Sequence, residues 1–304
     1  MPSPQFYDRN INHKTLGKPA KQYQGTSMSI LARGIVKFVG SALLALYPAV
    51  AVEAGSIGVE PLFLEVRPGQ SAAIRARNSS DQVSTVELIV NERMVDENGV
   101  QTRVEADNDF ILFPPQAALE PSSVQVFRLQ SIIPNLTESK SYFVTVKQVP
   151  VQLEPTEGGG ARLQVVFAFD SAVHVVPNGA KADPQILSVA MDTTIVEVET
   201  GEFTTTEDGG QRPVIKQEEV PAVAITLRND GNKYFYLQNQ DFEVTGSTAD
   251  GSKVDFPSWT TQEVLNAVGV VLVKPGDTRN IKLPLPRGTT AQNLTASVKE
   301  RQGL

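Results

Sequence analysis

Two histidines, His13 and His174, and no cysteine are all the imidazole and thiol chemistry that the 304 residues offer. His174 stands alone in an apolar run, so a zinc site would have to be built almost entirely from carboxylates, whereas zinc favours nitrogen and sulfur. The acidic clusters Asp96-Glu97 and Asp107-Asn108-Asp109 fall near turns, where short carboxylates bond their own backbone. They lack the alternating oxygens and fixed glycine of a calcium loop. Gly158-Gly159-Gly160 is followed by neither Lys-Ser/Thr nor a helix, so it reads as a flexible hairpin loop rather than a phosphate cradle. No serine occupies a Gly-x-Ser-x-Gly elbow. The expectation is a protein that is not an enzyme, with no metal and no cofactor.

The residues that remain available for work are apolar and lie in one stretch, Leu163 to Pro177. Read at period two, Leu163, Val165, Phe167, Phe169, Val173 and Val175 share one face, and Gln164, Ala168, Asp170 and His174 the other. At 15 residues this predicted strand is far longer than the usual 5 to 6. It has apolar side chains to spare, either for its own core or for a second protein.

The elements around it read as sheet. Only 7% of the chain is aromatic, while Val, Thr and Pro recur throughout. From Gly58 onward short apolar runs alternate with turns: Ala72 to Arg77, Val83 to Val95, Phe110 to Phe113, Val124 to Leu129 and Tyr142 to Val149 are predicted strands. Punctuation then repeats. Arg77-Asn78 has a counterpart at Arg228-Asn229, and Leu119-Glu120-Pro121 has one at Lys274-Pro275-Gly276-Asp277. A duplicated plan follows, an all-β chain of two tandem β-sandwich domains, 55–180 and 181–304, divided in the breaker-rich stretch 177–184. Val223 to Arg228 and Lys233 to Gln238 are expected to form a hairpin about Asn229-Asp230-Gly231-Asn232. Thr260 to Val268 reads as a short helix capped by Thr260 or Thr261. Residues 200–217 read as an exposed loop or a ragged hairpin.

Residues 28–54 carry Arg33 and Lys37, an apolar run from Phe38 to Ala51 and small-residue cleavage options, the order of a cleaved export signal. Residues 1–27 read as an upstream extension. The apolar run is short and interrupted by Pro48, so no stable membrane insertion is expected after cleavage. Beyond residue 54 the chain holds 21 basic and 32 acidic groups, a net charge of −11. Such a balance repels phosphate backbones, and no nucleic-acid partner is expected.

Three segments bring a family into view. Pro114-Pro115-Gln116-Ala117-Ala118-Leu119-Glu120-Pro121 with the later Phe127-Arg128-Leu129 resembles the first domain of the periplasmic chaperones of the chaperone-usher pilus pathway. Tyr142 to Pro150 resembles that family's sixth strand, and Leu163-Gln164-Val165-Val166-Phe167 with Pro177 its seventh. The second half resembles the family only through Leu227-Arg228-Asn229-Asp230-Gly231 and Val273-Lys274-Pro275-Gly276. The resemblance implies two immunoglobulin-like sandwiches in the periplasm that hold unassembled pilus or other exported β-sandwich subunits by lending the seventh strand, and pass them to an outer-membrane usher. The lent side chains would be Leu163, Val165, Phe167 and Phe169. The family's basic anchor falls at Phe63 or Leu64, depending on register, and at Ala172; none is basic here. The competing reading is an exported immunoglobulin-like structural or adhesive protein whose seventh strand only fills its own core.

Overall fold

The computed structural model describes residues 57–150, 165–206 and 209–301. The expected signal, the Gly158-Gly159-Gly160 loop and Leu163 lie outside them. In chain order the first half contains β1 (Ile57–Glu60), β2 (Phe63–Val66), β3 (Ser71–Asn78), β4 (Ser84–Val95), β5 (Gln101–Glu105), β6 (Phe110–Phe113), β7 (Gln116–Leu119), β8 (Val124–Ser131), β9 (Lys140–Gln148) and β10 (Ala168–Val175). One sheet runs β1-β3-β8-β6; the other runs β2-β10-β9-β4-β5, with β7 beside β4. Alternation decides which side chains meet between them. Ile74, Ala76, Phe127 and Leu129 of the first sheet pack on Val86, Val90, Tyr142, Val144, Val146, Val173 and Val175 of the second, all essentially without solvent exposure.

The second half contains β11 (Pro184–Thr205), β12 (Gln211–Asn229), β13 (Phe235–Tyr236), β14 (Gln240–Ser247), α1 (Thr261–Val268), β15 (Leu272–Val273), β16 (Thr278–Pro284) and β17 (Gln292–Glu300). Its sheets are β11-β12-β16, β13-β15 and β14-β17, closed over a core that includes Ile225, Leu227, Leu237, Phe242, Trp259, Val264, Ile281 and Leu283. The chain is an all-β protein of two immunoglobulin-like sandwiches. Thr260 caps α1: its hydroxyl accepts from Glu263 N while the Glu263 carboxylate accepts from Thr260 N, a reciprocal pair that satisfies two terminal amides.

The repeated punctuation is one device built twice. Asn78 and Asn229 are both fully buried strand-end residues. Asn78 Oδ1 accepts from Ser80 N and its Nδ2 donates to Gln82 O; Asn229 Oδ1 accepts from Gly231 N and its Nδ2 donates to Lys233 O. The backbone N–H of Asn78 donates to Ser123 O, just after the Glu120-Pro121 turn, and that of Asn229 to Asp277 O, just after the Pro275-Gly276 turn.

Two expectations are corrected. Within the described part, 165–177, of the predicted strand from 163 to 177, the ladder is regular only over Ala168–Val175, because Val165, Val166 and Phe167 lie outside it. The expected hairpin about Asn229 does not form. β12 pairs with β11 and β16, whereas β13 pairs with β15, so the Asn229 turn carries the chain between sheets. Residues 200–206 and 209–217 belong to a ragged hairpin, with a register shift between Glu199 and Phe203.

Candidate functional site

β10 is hydrogen-bonded to β9 along its whole length but to β2 only from Ala172 to Val175. The reason is upstream: the chain pairs with β3 through Glu60, crosses at Pro61-Leu62, and joins β10 only at Phe63. Ala172 N donates to Leu62 O at 2.9 Å, and Ser171 Oγ fixes the crossing by donating to Pro61 O at 2.9 Å. From Ala168 to Ser171 the far side of β10 has no strand against it among the described residues. Phe167 O accepts from Gln148 N of β9, so by alternation the N–H and C=O groups of Ala168 and Asp170 point out along the free edge.

The side chains named from the sequence divide along this strand. Val173 and Val175 fill the first core, and Phe169 packs against that core half-buried. Phe167 is half-buried with its ring stacked 6.2 Å from Phe169, and Val165 is 55% exposed. The same face thus passes from interior to solvent as it runs toward the free end.

Of the positions at which the resemblance would put the basic anchor, Phe63 and Ala172 are register partners, while Leu64 is set opposite Val173 and packs toward the core. Phe63 is therefore the first residue of β2 beside β10, where the free edge ends. Around Phe63 stand aromatic rings. Its ring lies 5.3 Å from the His174 ring, which in turn stacks on Tyr234 at 3.9 Å. Fully buried His174 joins Ser141 Oγ through Nδ1 and Tyr236 OH through Nε2, each at 2.7 Å. Burial, reinforced by the charges of Arg93 and Lys233, pushes the imidazole down to about 3, so it is neutral at physiological pH. Tyr234 donates to Glu65 at 2.9 Å, and Lys233 approaches the same carboxylate at 3.1 Å.

Sequence reasoning missed the cations that the fold does bring here. Arg93 on β4 and Arg103 on β5 are register partners and both lie over the Phe143 ring, at 4.9 and 4.6 Å. Arg103 holds Asp170 of β10 through two bonds, and Thr145 donates to the same carboxylate. Burial alone would raise the Asp170 carboxyl; these bonds and the Arg103 charge outweigh it and hold the group below its usual range. Arg93 is largely buried beside the Tyr236 hydroxyl and bonds Gln101 Oε1, with no ion pair to a described carboxylate. Burial accordingly lowers its pKa. The Tyr234-Phe235-Tyr236 triplet after the Asn229 turn was the only sequence signal for this cluster.

Elsewhere the acidic clusters serve the fold. Asp96 accepts from the backbones of Asn98 and Val100, and Asp109 accepts from Tyr142 OH. Among the described residues no group of three or more His, Asp or Glu is placed to hold a metal ion.

No curated protein matches the chain. Among solved structures, a chain from a chaperone–tip adhesin complex of CFA/I fimbriae biogenesis aligns at 10% identity and TM-score 0.47, covering 81% of this chain and 99% of that one. The class 5 fimbriae chaperone CfaA aligns at 10% and 0.46, covering 82% and 100%. A chain from the Salmonella enterica SafA pilin–SafB chaperone complex aligns at 15% and 0.45, covering 82% and 99%. The family model described as pili and flagellar-assembly chaperone, PapD N-terminal domain, matches residues 65–181, which take in the Asn78 corner, the Pro114-Pro115 turn and the whole of β10. Over those residues, and over no more of the chain, the sequence is similar to the N-terminal domain of the pili and flagellar-assembly chaperones.

Proposed function

We propose that the protein is a periplasmic chaperone that holds unassembled pilus or other exported β-sandwich subunits along the free edge of β10, for delivery to an outer-membrane usher. Export would use residues 28–54 as a cleaved signal. The observation that carries the reading is the edge from Ala168 to Ser171, bonded on one side only, within a segment that matches a pilus-chaperone domain. An added strand would satisfy the outward backbone groups of Ala168 and Asp170 with little regard for client sequence. Register would come from apolar side chains ahead of the ladder, with Val165 and Phe167 leading, Leu163 beyond them and Phe169 contributing the part its own core leaves uncovered. Each such burial is worth roughly 1.5 to 3 kcal/mol.

The client strand must end where Leu62 takes over the edge, beside Phe63. With Phe63 and Ala172 apolar, the cation nearest in function is Arg93, whose charge no described carboxylate neutralises. The test is co-purification from the periplasm of cells expressing neighbouring exported proteins. The parent should bring down a small β-rich protein that the folded Val165→Asp, Phe167→Asp variant does not. Equal yields would refute strand lending and favour the competing structural or adhesive role, for which the inward packing of Phe169, Val173 and Val175 already speaks.

A further inference from the structure

Outside the β10 edge the molecule exposes two pleated faces that are mirror images in charge. The first is the outer face of β1-β3-β8-β6. Its inward residues Ile74, Phe127 and Leu129 are spent in the core, and alternation turns Arg75, Arg77, Val124, Val126, Arg128, Ile111 and Phe113 outward. Register sets Arg75 beside Val126, Arg77 beside Val124 and Arg128 beside Phe113. Phe113 is 71% exposed, and none of the three arginines forms an ion pair with a described carboxylate. Glu60, at the β1 edge opposite Arg75, is the one acidic residue on the face.

The second face belongs to β11-β12. β16 supports β12 only from Ala222 to Arg228, so beyond Thr193 and Pro221 the two strands continue as an unsupported ribbon. Its 13 residues from Thr193 to Thr205 span about 40 Å at roughly 3.3 Å each. One side of it presents Ile195, Glu197, Glu199 and Phe203, with Glu219, Gln217, Ile215 and Pro213 as their cross-strand partners. Ile195 is 66% exposed, and among the described residues paired on that side there are three carboxylates and no cation. Lys216 and Arg212, opposite Val198 and Thr204, lie on the reverse side.

We infer that the ribbon of one copy docks on the outer β3-β8-β6 face of a second copy. Both halves of the match, arginines interleaved with Phe, Ile and Val against glutamates interleaved with Ile and Phe, are on the same chain, and neither covers the other within it. The acidic excess of the chain repels a second copy in most orientations, so the arginine face selects one. The contact joins unlike surfaces, which makes it heterologous, head to tail. Two strands' width is small for a protein interface, which gives reversible, concentration-dependent association. The inference is independent of what β10 binds, because neither face includes β10.

Sedimentation equilibrium on the purified protein tests it, as a concentration series at about 0.1 M and about 1 M salt, between which the screening length falls from about 10 to about 3 Å. The expected result is an average mass that rises with concentration at low salt and collapses toward the monomer at high salt. Arg75→Glu with Arg128→Glu, and separately Glu197→Arg with Glu199→Arg, should each abolish the rise, and an equimolar mixture of the two variants should restore it. All four positions are exposed, so circular dichroism should show both variants folded, and client co-purification should be unchanged in both. A monomer at every concentration overturns the inference. So does association that survives both reversals, or that is lost only with Val165→Asp, Phe167→Asp, which would place the contact on β10.

Discussion

His174 Nε2 lies 2.7 Å from the Tyr236 hydroxyl, and this bond joins β10 of the first sandwich to β13 of the second. The imidazole that makes it is fully buried and pushed down to about 3. The unfolded chain therefore binds a proton near pH 6.5 that the folded chain refuses, and the contribution is intact above pH 6.5 and lost progressively as pH falls toward 3. The slope in that window is about 1.4 kcal/mol per pH unit. Urea unfolding at descending pH should show stability falling more steeply in the parent than in His174→Gln, whose side chain does not titrate. Parallel curves would remove His174 as the cause.

The gradient of burial along β10 predicts two kinds of variant on one face. Val165→Asp changes an exposed residue and should leave unfolding within about 0.5 kcal/mol of the parent while lowering client capture. Val173→Asp places an unpaired charge among Val144, Tyr142 and Leu64 and should prevent folding. Thermal unfolding together with co-purification separates the two.

If Arg93 receives the client's end, Arg93→Met should weaken capture roughly 10- to 150-fold, the equivalent of the 1.5 to 3 kcal/mol of a charge-assisted hydrogen bond. The substitution also removes the guanidinium from the Phe143 ring and from Gln101 Oε1, so unfolding should shift by roughly 1 to 2 kcal/mol without loss of the fold. Competition with a synthetic client strand carrying a free or an amidated C-terminus is the decisive readout. The amide should bind the parent more weakly and the variant no differently from the free acid.

Much of this was legible in period and punctuation. The strands of the first core emerged because Val86, Leu88 and Val90, or Tyr142, Val144 and Val146, alternate without interruption, and burial on one face is what alternation encodes. Phe63 or Leu64, and Ala172, could be named as positions of interest; the register sets Phe63 beside Ala172 and Leu64 beside Val173, a choice the sequence left open because a one-residue slip exchanges the two faces. The length of β10 was overread because Val165 and Phe167 continue its alternation beyond the ladder. Arg93, Arg103 and Tyr236 were missed for a different reason: the two arginines face each other across one hairpin, but Phe143, Asp170 and Tyr236 reach them from strands distant in sequence, which no local pattern records.

The buried asparagines make the duplicated plan measurable. Asn78→Ala strands the carbonyls of Gln82, Leu119 and Glu120 and the amide of Ser80; Asn229→Ala strands Lys233 O and the amides of Asp183 and Gly231. Each unsatisfied buried group costs about 1 to 3 kcal/mol. Both substitutions should lower stability by roughly 3 kcal/mol or more in chemical unfolding. Asn→Asp should rescue neither, since it keeps the acceptor and loses the donor.

The docking of the sandwiches depends on a glycine. The β4–β5 turn reaches the second half, where Asn280 N donates to Glu97 O at 2.7 Å, and Gly99 in that turn has φ +85°. A Cβ at Gly99 would come within 2.7 Å of Arg279 Nη2. That guanidinium cannot step aside freely. It is 1% exposed, its Nη1 donates to Leu272 O and its Nη2 to Val270 O, and its Nε already lacks a partner. Gly99→Ala therefore combines the cost of a left-handed alanine, about 1 kcal/mol, with loss of at least one buried charge-assisted bond. The expected outcome is faster amide exchange along β15 and β16 with β3 and β8 unaffected. Uniform protection throughout would show that the turn only rests on the second sandwich and does not hold it.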